Sequence, residues 1–289
     1  MKHIFRLLRP YQYYKNLVIF LPLVFGQVLF DFNAFYKTII GFVCLCLISS
    51  VNYIINDLVD ISKDKKHPEK KKRPLASGKV GKISAVFIAA VLFMIAALLS
   101  LGLSLMFFLF VFSLFLTTQI YSFFFKREPF VDIIIIAVNF VIRAVSGAFV
   151  IVNNNQPYVE VSQWLIFCPF FLSLFLSSGK READQKLLGK GSDKHKSVLK
   201  YYNKDITKSL MIISTTLLII VYSLYIFFSE YKFLIFTLPV SLYVIFRYLY
   251  LVETGSVITR HPHKVYGDIR ILSGILVWGM IVILEIYLL

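Results

Sequence analysis

The chain has 289 residues, 58% of them hydrophobic and 16% charged, with a mean hydropathy of +0.75. A soluble domain is about half apolar and about a quarter charged, yet this chain carries 31 Lys and Arg against 16 Asp and Glu, for a net charge of +15. No single soluble core can hide so much apolar surface, which excludes a soluble nucleic-acid binder, a disordered chain and a disulfide scaffold, and leaves an integral membrane protein whose charge lies outside the bilayer.

In chain order, residues 1–16 are polar and aromatic, and no small-residue cleavage site follows the apolar run after them, so no cleavable signal peptide is expected. A spanning helix needs about 20 mostly apolar residues. Nine stretches qualify: 17–35, 38–56, 83–101, 104–125, 130–152, 161–178, 209–228, 232–250 and 271–289. The expected architecture is all-α and polytopic. Cys44 and Cys46, two apart on one helix, point about 200° apart; with Cys168 they read as small buried hydrophobes.

Charge sets the expected orientation. With the N-terminus in the cytoplasm, 28 of the 31 basic residues fall on the inner side and only Lys37 and Lys232 outside, while Arg143 lies within a span. Nine spans then put the C-terminus outside. Twelve of the 16 acidic residues share the inner side. The positive-inside rule does not require that, so carboxylates gathered among cations suggest a site. The long inner loops 57–82 and 179–208 are where it is expected, within a single transmembrane catalytic domain over 1–289. They follow the second and sixth spans, a spacing that hints at an internal duplication.

The second span ends in Asn56-Asp57-Leu58-Val59-Asp60-Ile61-Ser62-Lys63-Asp64. If the helix continues, Asn56, Asp60, Asp64 and Asp57 share an arc of about 100°. Such hard oxygen donors suit Mg²⁺, which binds through one or two carboxylates plus substrate phosphates; the alternative is a solvated helix end paired with nearby lysines. A loop follows, from His67 through Lys70-Lys71-Lys72-Arg73-Pro74 to Gly78. Its cations either orient the chain and meet anionic lipid or, beside a metal, neutralise a leaving diphosphate. His67 is either a metal ligand or a residue that structures the loop.

Tyr121 and Lys126 close the fourth span on the same inner side. In the fifth, Asp132, Asn139 and Arg143 fall on one stripe running about 16 Å into the membrane. An intramembrane arginine is costly; it faces either a partner on another helix or an anion-binding cavity. The sixth span runs into Gly179-Lys180-Arg181-Glu182-Ala183-Asp184. This is either a salt-bridged helix end or a phosphate contact by Lys180 and Arg181 with a metal or hydroxyl contact from Asp184.

These residues resemble the UbiA superfamily of intramembrane prenyltransferases. That family has nine transmembrane helices and an Asn-Asp-x-x-Asp-x-x-x-Asp motif after the second, which Asn56, Asp57, Asp60 and Asp64 reproduce. A phosphoribosyltransferase branch is matched further by Arg9-Pro10-x-Gln12-x-x-Lys15-Asn16, His67-Pro68-x-Lys70-x-x-Arg73-Pro74-x-Ala76-Ser77-Gly78, Tyr121 to Lys126, Arg143-Ala144 with Gly147, and Gly179-Lys180-Arg181. The resemblance implies Mg²⁺-dependent transfer of 5-phosphoribose from phosphoribosyl pyrophosphate to a polyprenyl phosphate, with release of diphosphate, in a prokaryotic plasma membrane with the site facing the cytoplasm. Carried onto this sequence, it makes Asn56, Asp60 and Asp64 the metal ligands and Asp57, Asp60 and Lys180 catalytic. Lys15, Lys70, Arg73, Tyr121, Lys126, Arg143, Arg181 and Asp184 would bind substrate.

Two departures stand out. The second Asp-x-x-x-Asp motif of ordinary members is replaced by Lys180 and Asp184, which favours a phosphorylated sugar donor over an aromatic acceptor. Residues 255–270 depart from the branch's last inner loop, where Asp268 is the residue that can match and Arg260 and His261 receive no role. Two rivals remain. One is a UbiA-type prenyltransferase that moves a polyprenyl group from its diphosphate to an aromatic or other acceptor; the other is a transporter of anionic lipid lined by Arg143.

Overall fold

The computed structural model describes residues 2–66, 70–153, 156–188, 198 and 201–289. His67, Pro68 and residues 189–197, 199 and 200 of the expected loop 179–208 lie outside the described residues. The described chain is nearly all helical, and seven helical stretches in it are long and apolar enough to cross a membrane. The helices are α1 (Lys2–Leu8), α2 (Leu21–Phe25), α3 (Phe32–Val59), α4 (Ile61–Lys66), α5 (Lys82–Leu103), α6 (Leu105–Phe123), α7 (Val131–Ser146), α8 (Gln163–Leu188), α9 (Lys204–Phe228), α10 (Thr237–Glu253), α11 (Val257–Arg260) and α12 (Ile269–Tyr287). A two-residue antiparallel hairpin pairs β1 (Val152–Asn153) with β2 (Gln156–Pro157), a feature the hydropathy pattern does not announce.

The chain divides into two compact units. One comprises residues 1–125 and 142–161, the other residues 126–141 and 162–289. In the first, Ile19, Leu45, Ile48, Phe107 and Leu114 form a buried core around α3. Asp31 caps α3, its carboxylate accepting from the backbone N–H groups of Asn33 (2.9 Å) and Ala34 (3.1 Å). In the second, Phe175, Met211, Leu218, Ile245 and Tyr248 join α8, α9 and α10.

The expected span 17–35 is not one helix. A 3-10 stretch, Pro10–Phe20, passes into the short α2, which ends at Gly26. Proline removes a backbone donor at the start of each piece. The 3-10 stretch lies along α3: Tyr13 Oη is 2.7 Å from Ser50 Oγ, and Asn16 Nδ2 donates to Cys46 Sγ at 3.3 Å. Its backbone makes room for Gly147, where a Cβ would stand 2.1 Å from the Ile19 carbonyl oxygen. Cys44 and Cys46 are buried and unbridged, while Cys168 is only half-buried.

Gly147→Ala should therefore destabilise the first unit by about 1–3 kcal/mol through overpacking. Gly102, with nothing within 4 Å of a built Cβ, is the control. Thermal unfolding in detergent should show a lowered midpoint for Gly147→Ala and an unchanged one for Gly102→Ala.

Candidate active site

The polar end of α3 is built by a near-continuous helix. Asp60 ends α3, yet its N–H still reaches the Asn56 carbonyl (3.0 Å), and the Asp64 N–H reaches the Asp60 carbonyl (2.8 Å). The helical phase therefore carries into α4, and Asp57 and Asp64 are both buried. A buried charged carboxylate is costly unless it is paired and hydrogen-bonded. Arg73 Nη1 lies 2.9 Å from Asp57 Oδ1 and 2.7 Å from Asp64 Oδ2, so one guanidinium nitrogen joins both acids. Arg9 Nη2 approaches the same Asp57 oxygen at 2.5 Å and stacks over the Tyr53 ring. Asp60 is more open, with Lys63 Nζ at 3.7 Å, and Asn56 is half-buried.

The cation expected among these acids is thus supplied in part by the protein itself, and Arg73 bridges carboxylates in this structure. Lys70 is half-buried beside it; burial and then the Arg73 charge hold its ammonium below the ordinary lysine range. The donors are all hard oxygens and two of them converge on one point, a set that fits Mg²⁺ in kind. Among the described residues, no three His, Cys, Asp or Glu side chains already stand as a metal-binding group.

In the same unit Arg143 is buried, and its Nε donates to Asn16 Oδ1 at 2.9 Å. Lys15 lies next in sequence to that asparagine, half-buried, with Nζ 5.9 Å from the Tyr14 ring centroid. Burial, and after it the charges of Arg143 and Arg9, push the Lys15 ammonium down to about 8. Tyr121 is half-buried at the end of α6.

The second unit holds the remaining residues. Asp132 is fully buried and accepts from Arg181 Nε (3.1 Å) and Nη2 (2.5 Å) at one oxygen, and from Tyr202 Oη (2.5 Å) at the other. Arg181, expected at a phosphate, is itself buried and holds α8 to α7 in this way. Tyr202 Oη also accepts the Phe130 N–H, and its carbonyl accepts from Gln185. Asp184 accepts from Arg260 Nε at 3.0 Å, so the loop left without a role supplies its partner. Lys180 is exposed and Lys126 half-buried. Asp268 caps α12 and pairs with Arg247 at 2.8 Å, the contact that chiefly lowers its carboxyl below the ordinary aspartate range.

Spacing alone does not reveal Tyr202, Arg260 or the Asn16–Arg143 bond, because each joins residues 70 or more apart. Arg181→Met should leave Asp132 buried beside a neutral side chain. Breaking such a pair costs about 3–5 kcal/mol, read as a large loss of thermal stability, with Arg181→Lys milder. An Arg181 held only for a substrate would leave unfolding unchanged in substrate-free protein.

Comparison with known proteins bears on the family and the fold. The model of the UbiA prenyltransferase family matches residues 19–258. Decaprenyl-phosphate phosphoribosyltransferase of Mycolicibacterium smegmatis is 30% identical over 224 residues, covering 76% of this chain and 68% of that protein. The protein of the same name from Corynebacterium glutamicum is 28% identical over 299 residues, covering 97% and 86%. Among solved structures, a UbiA homolog from Archaeoglobus fulgidus bound to GPP and Mg²⁺ superposes with a TM-score of 0.71 at 18% identity, covering 96% of this chain and all of that one. The chain is an integral membrane transferase that belongs to the UbiA prenyltransferase family.

Proposed function

We propose that the protein transfers 5-phosphoribose from phosphoribosyl pyrophosphate to a polyprenyl phosphate, releasing diphosphate. The observation that carries this reading is the convergence of Asp57 and Asp64 with Arg73 at the polar end of an apolar helix. Its specific support is the 30% identity to a phosphoribosyltransferase. The replacement of a second Asp-x-x-x-Asp motif by Lys180 and Asp184 points the same way. On this reading, residues 1–289 form one catalytic domain that crosses the plasma membrane nine times, N-terminus inside, with the site facing the cytoplasm.

Asn56, Asp60 and Asp64, with Asp57 beside them, would hold Mg²⁺, which when bound supplies charge neutralisation for a diphosphate. Lys70 and Arg73 neutralise the remaining phosphate charge beside that metal, and Lys180 is assigned a phosphate contact from the sequence pattern alone. Arg181, tied to Asp132, fixes the turn of α8 that carries Lys180 and Asp184. Lys15 and Arg143 take the lipid phosphate, and Tyr121 and Lys126 add substrate contacts.

The lipid phosphate is already an anion, so its oxygen attacks the anomeric carbon without a strong general base. The new C–O bond forms as the bond to diphosphate breaks, and the electron pair leaves with the diphosphate. In-line displacement inverts that carbon. The protein's contribution is positioning and charge stabilisation.

Purified protein given labelled phosphoribosyl pyrophosphate, Mg²⁺ and a polyprenyl phosphate should form a labelled lipid. Product only from a polyprenyl diphosphate and an aromatic acid would establish prenyl transfer instead. No chemistry with either pair would leave lipid transport. Asp60→Ala should abolish Mg²⁺-dependent turnover while leaving the protein folded, and full activity would refute the assignment. The Lys15 ammonium is charged below about 8 and neutral above it. The kcat/KM for the lipid phosphate should therefore fall as pH rises through that value, and Lys15→Arg should carry the plateau to higher pH.

A further inference from the structure

Arg73 inserts Nη1 between two carboxylates that lie about two helical turns apart, Asp57 Oδ1 at 2.9 Å and Asp64 Oδ2 at 2.7 Å. Both acids are buried, and the guanidinium is only about a quarter exposed. A divalent cation held by either of these oxygens would stand within a few ångströms of the same guanidinium. Like charges at that separation repel, and more strongly in a desolvated site than in water. Two features make the arginine displaceable. Asp57 keeps a second partner, Arg9 at 2.5 Å, when Arg73 leaves. Arg73 also stands beside Lys70, a half-buried cation that repels it.

We infer that Arg73 and the divalent cation compete for Asp57 and Asp64, and that a diphosphate resolves the competition by accepting the guanidinium. The inference rests on reading this cluster as the cation site. Arg73 is then a coupling residue as well as a phosphate ligand. It holds the metal off until a diphosphate-bearing substrate is present, and by linkage metal and diphosphate tighten each other's binding by one and the same factor. An arginine suits this exchange because its planar fork bonds carboxylate and phosphate oxygens with the same geometry. The arrangement keeps the carboxylates neutralised at all times, first by the protein and then by the metal.

The test uses the full chain in detergent with Mn²⁺ as the probe, protein-bound Mn²⁺ being read by electron paramagnetic resonance with and without inorganic diphosphate. In the unaltered protein, saturating diphosphate should tighten Mn²⁺ binding roughly tenfold or more, the usual scale of coupling between sites. Arg73→Gln should bind Mn²⁺ more tightly than the unaltered protein without diphosphate, with the coupling factor falling toward one and turnover reduced. Arg73→Lys should retain part of the coupling. An unchanged or weaker diphosphate-free affinity in Arg73→Gln overturns the inference. If that variant does not fold, the unaltered protein decides, because a coupling factor near one in it is equally fatal. Failure of the transferase reading is a separate result: no phosphoribosylated lipid is formed while the Mn²⁺–diphosphate coupling persists.

Discussion

A buried carboxylate in a membrane protein must be paired, hydrogen-bonded or neutralised, and the polar end of α3 is organised by cations that meet that demand. Asp57 and Asp64 are almost wholly withdrawn from solvent, and their charges are met by Arg9 and Arg73 from outside the helix that bears the acids. Those contacts tie the segment before α2 and the loop after α4 to the end of α3. Desolvation makes the ties directional: loss of one partner costs far more than an exposed salt bridge is worth. The second unit applies the same rule with different residues, Asp132 being shared by Arg181 and Tyr202.

The same charge density suits the chemistry. Phosphoryl and diphosphate substrates need cations that are already oriented, since a site that must reorganise to meet developing charge gives up much of its advantage. Arg73, held by Asp57 and Asp64, is kept within the site before any ligand arrives, and the inferred exchange onto a diphosphate precedes the chemical step. Lys15 shows the other side of the principle, for burial beside two arginines weakens its hold on its own proton. A phosphate bound there would relieve repulsion among cations as well as form bonds.

Small residues and helix breaks decide where these side chains can sit. The expected spanning helix over 17–35 is instead the end of a 3-10 stretch that opens at Pro10, a short helix with Pro22 in its first turn, and the start of α3. The 3-10 stretch lies flat on α3 and delivers Asn16 to Arg143. Gly147 permits the close approach, because any side chain there would meet the Ile19 carbonyl. A continuous helix over 17–35 would place Asn16 and Lys15 differently, so the irregular backbone belongs to the site as much as the charges do.

By itself, the sequence determined the membrane class, the positions of seven long apolar helices, and the acidic cluster from Asn56 to Asp64. These follow from composition and from a period of 3.6 residues, both local properties of a chain in lipid. It also placed Asp132, Asn139 and Arg143 on one stripe, and all three are buried. The partner of each charge was not legible. Asp57 and Asp64 take Arg73, Asp132 takes Arg181 and Tyr202, Asp184 takes Arg260, and Arg143 donates to Asn16. Many cations on one side of the membrane are equivalent by type and charge, and only tertiary packing selects which one comes within hydrogen-bond distance of a given acid.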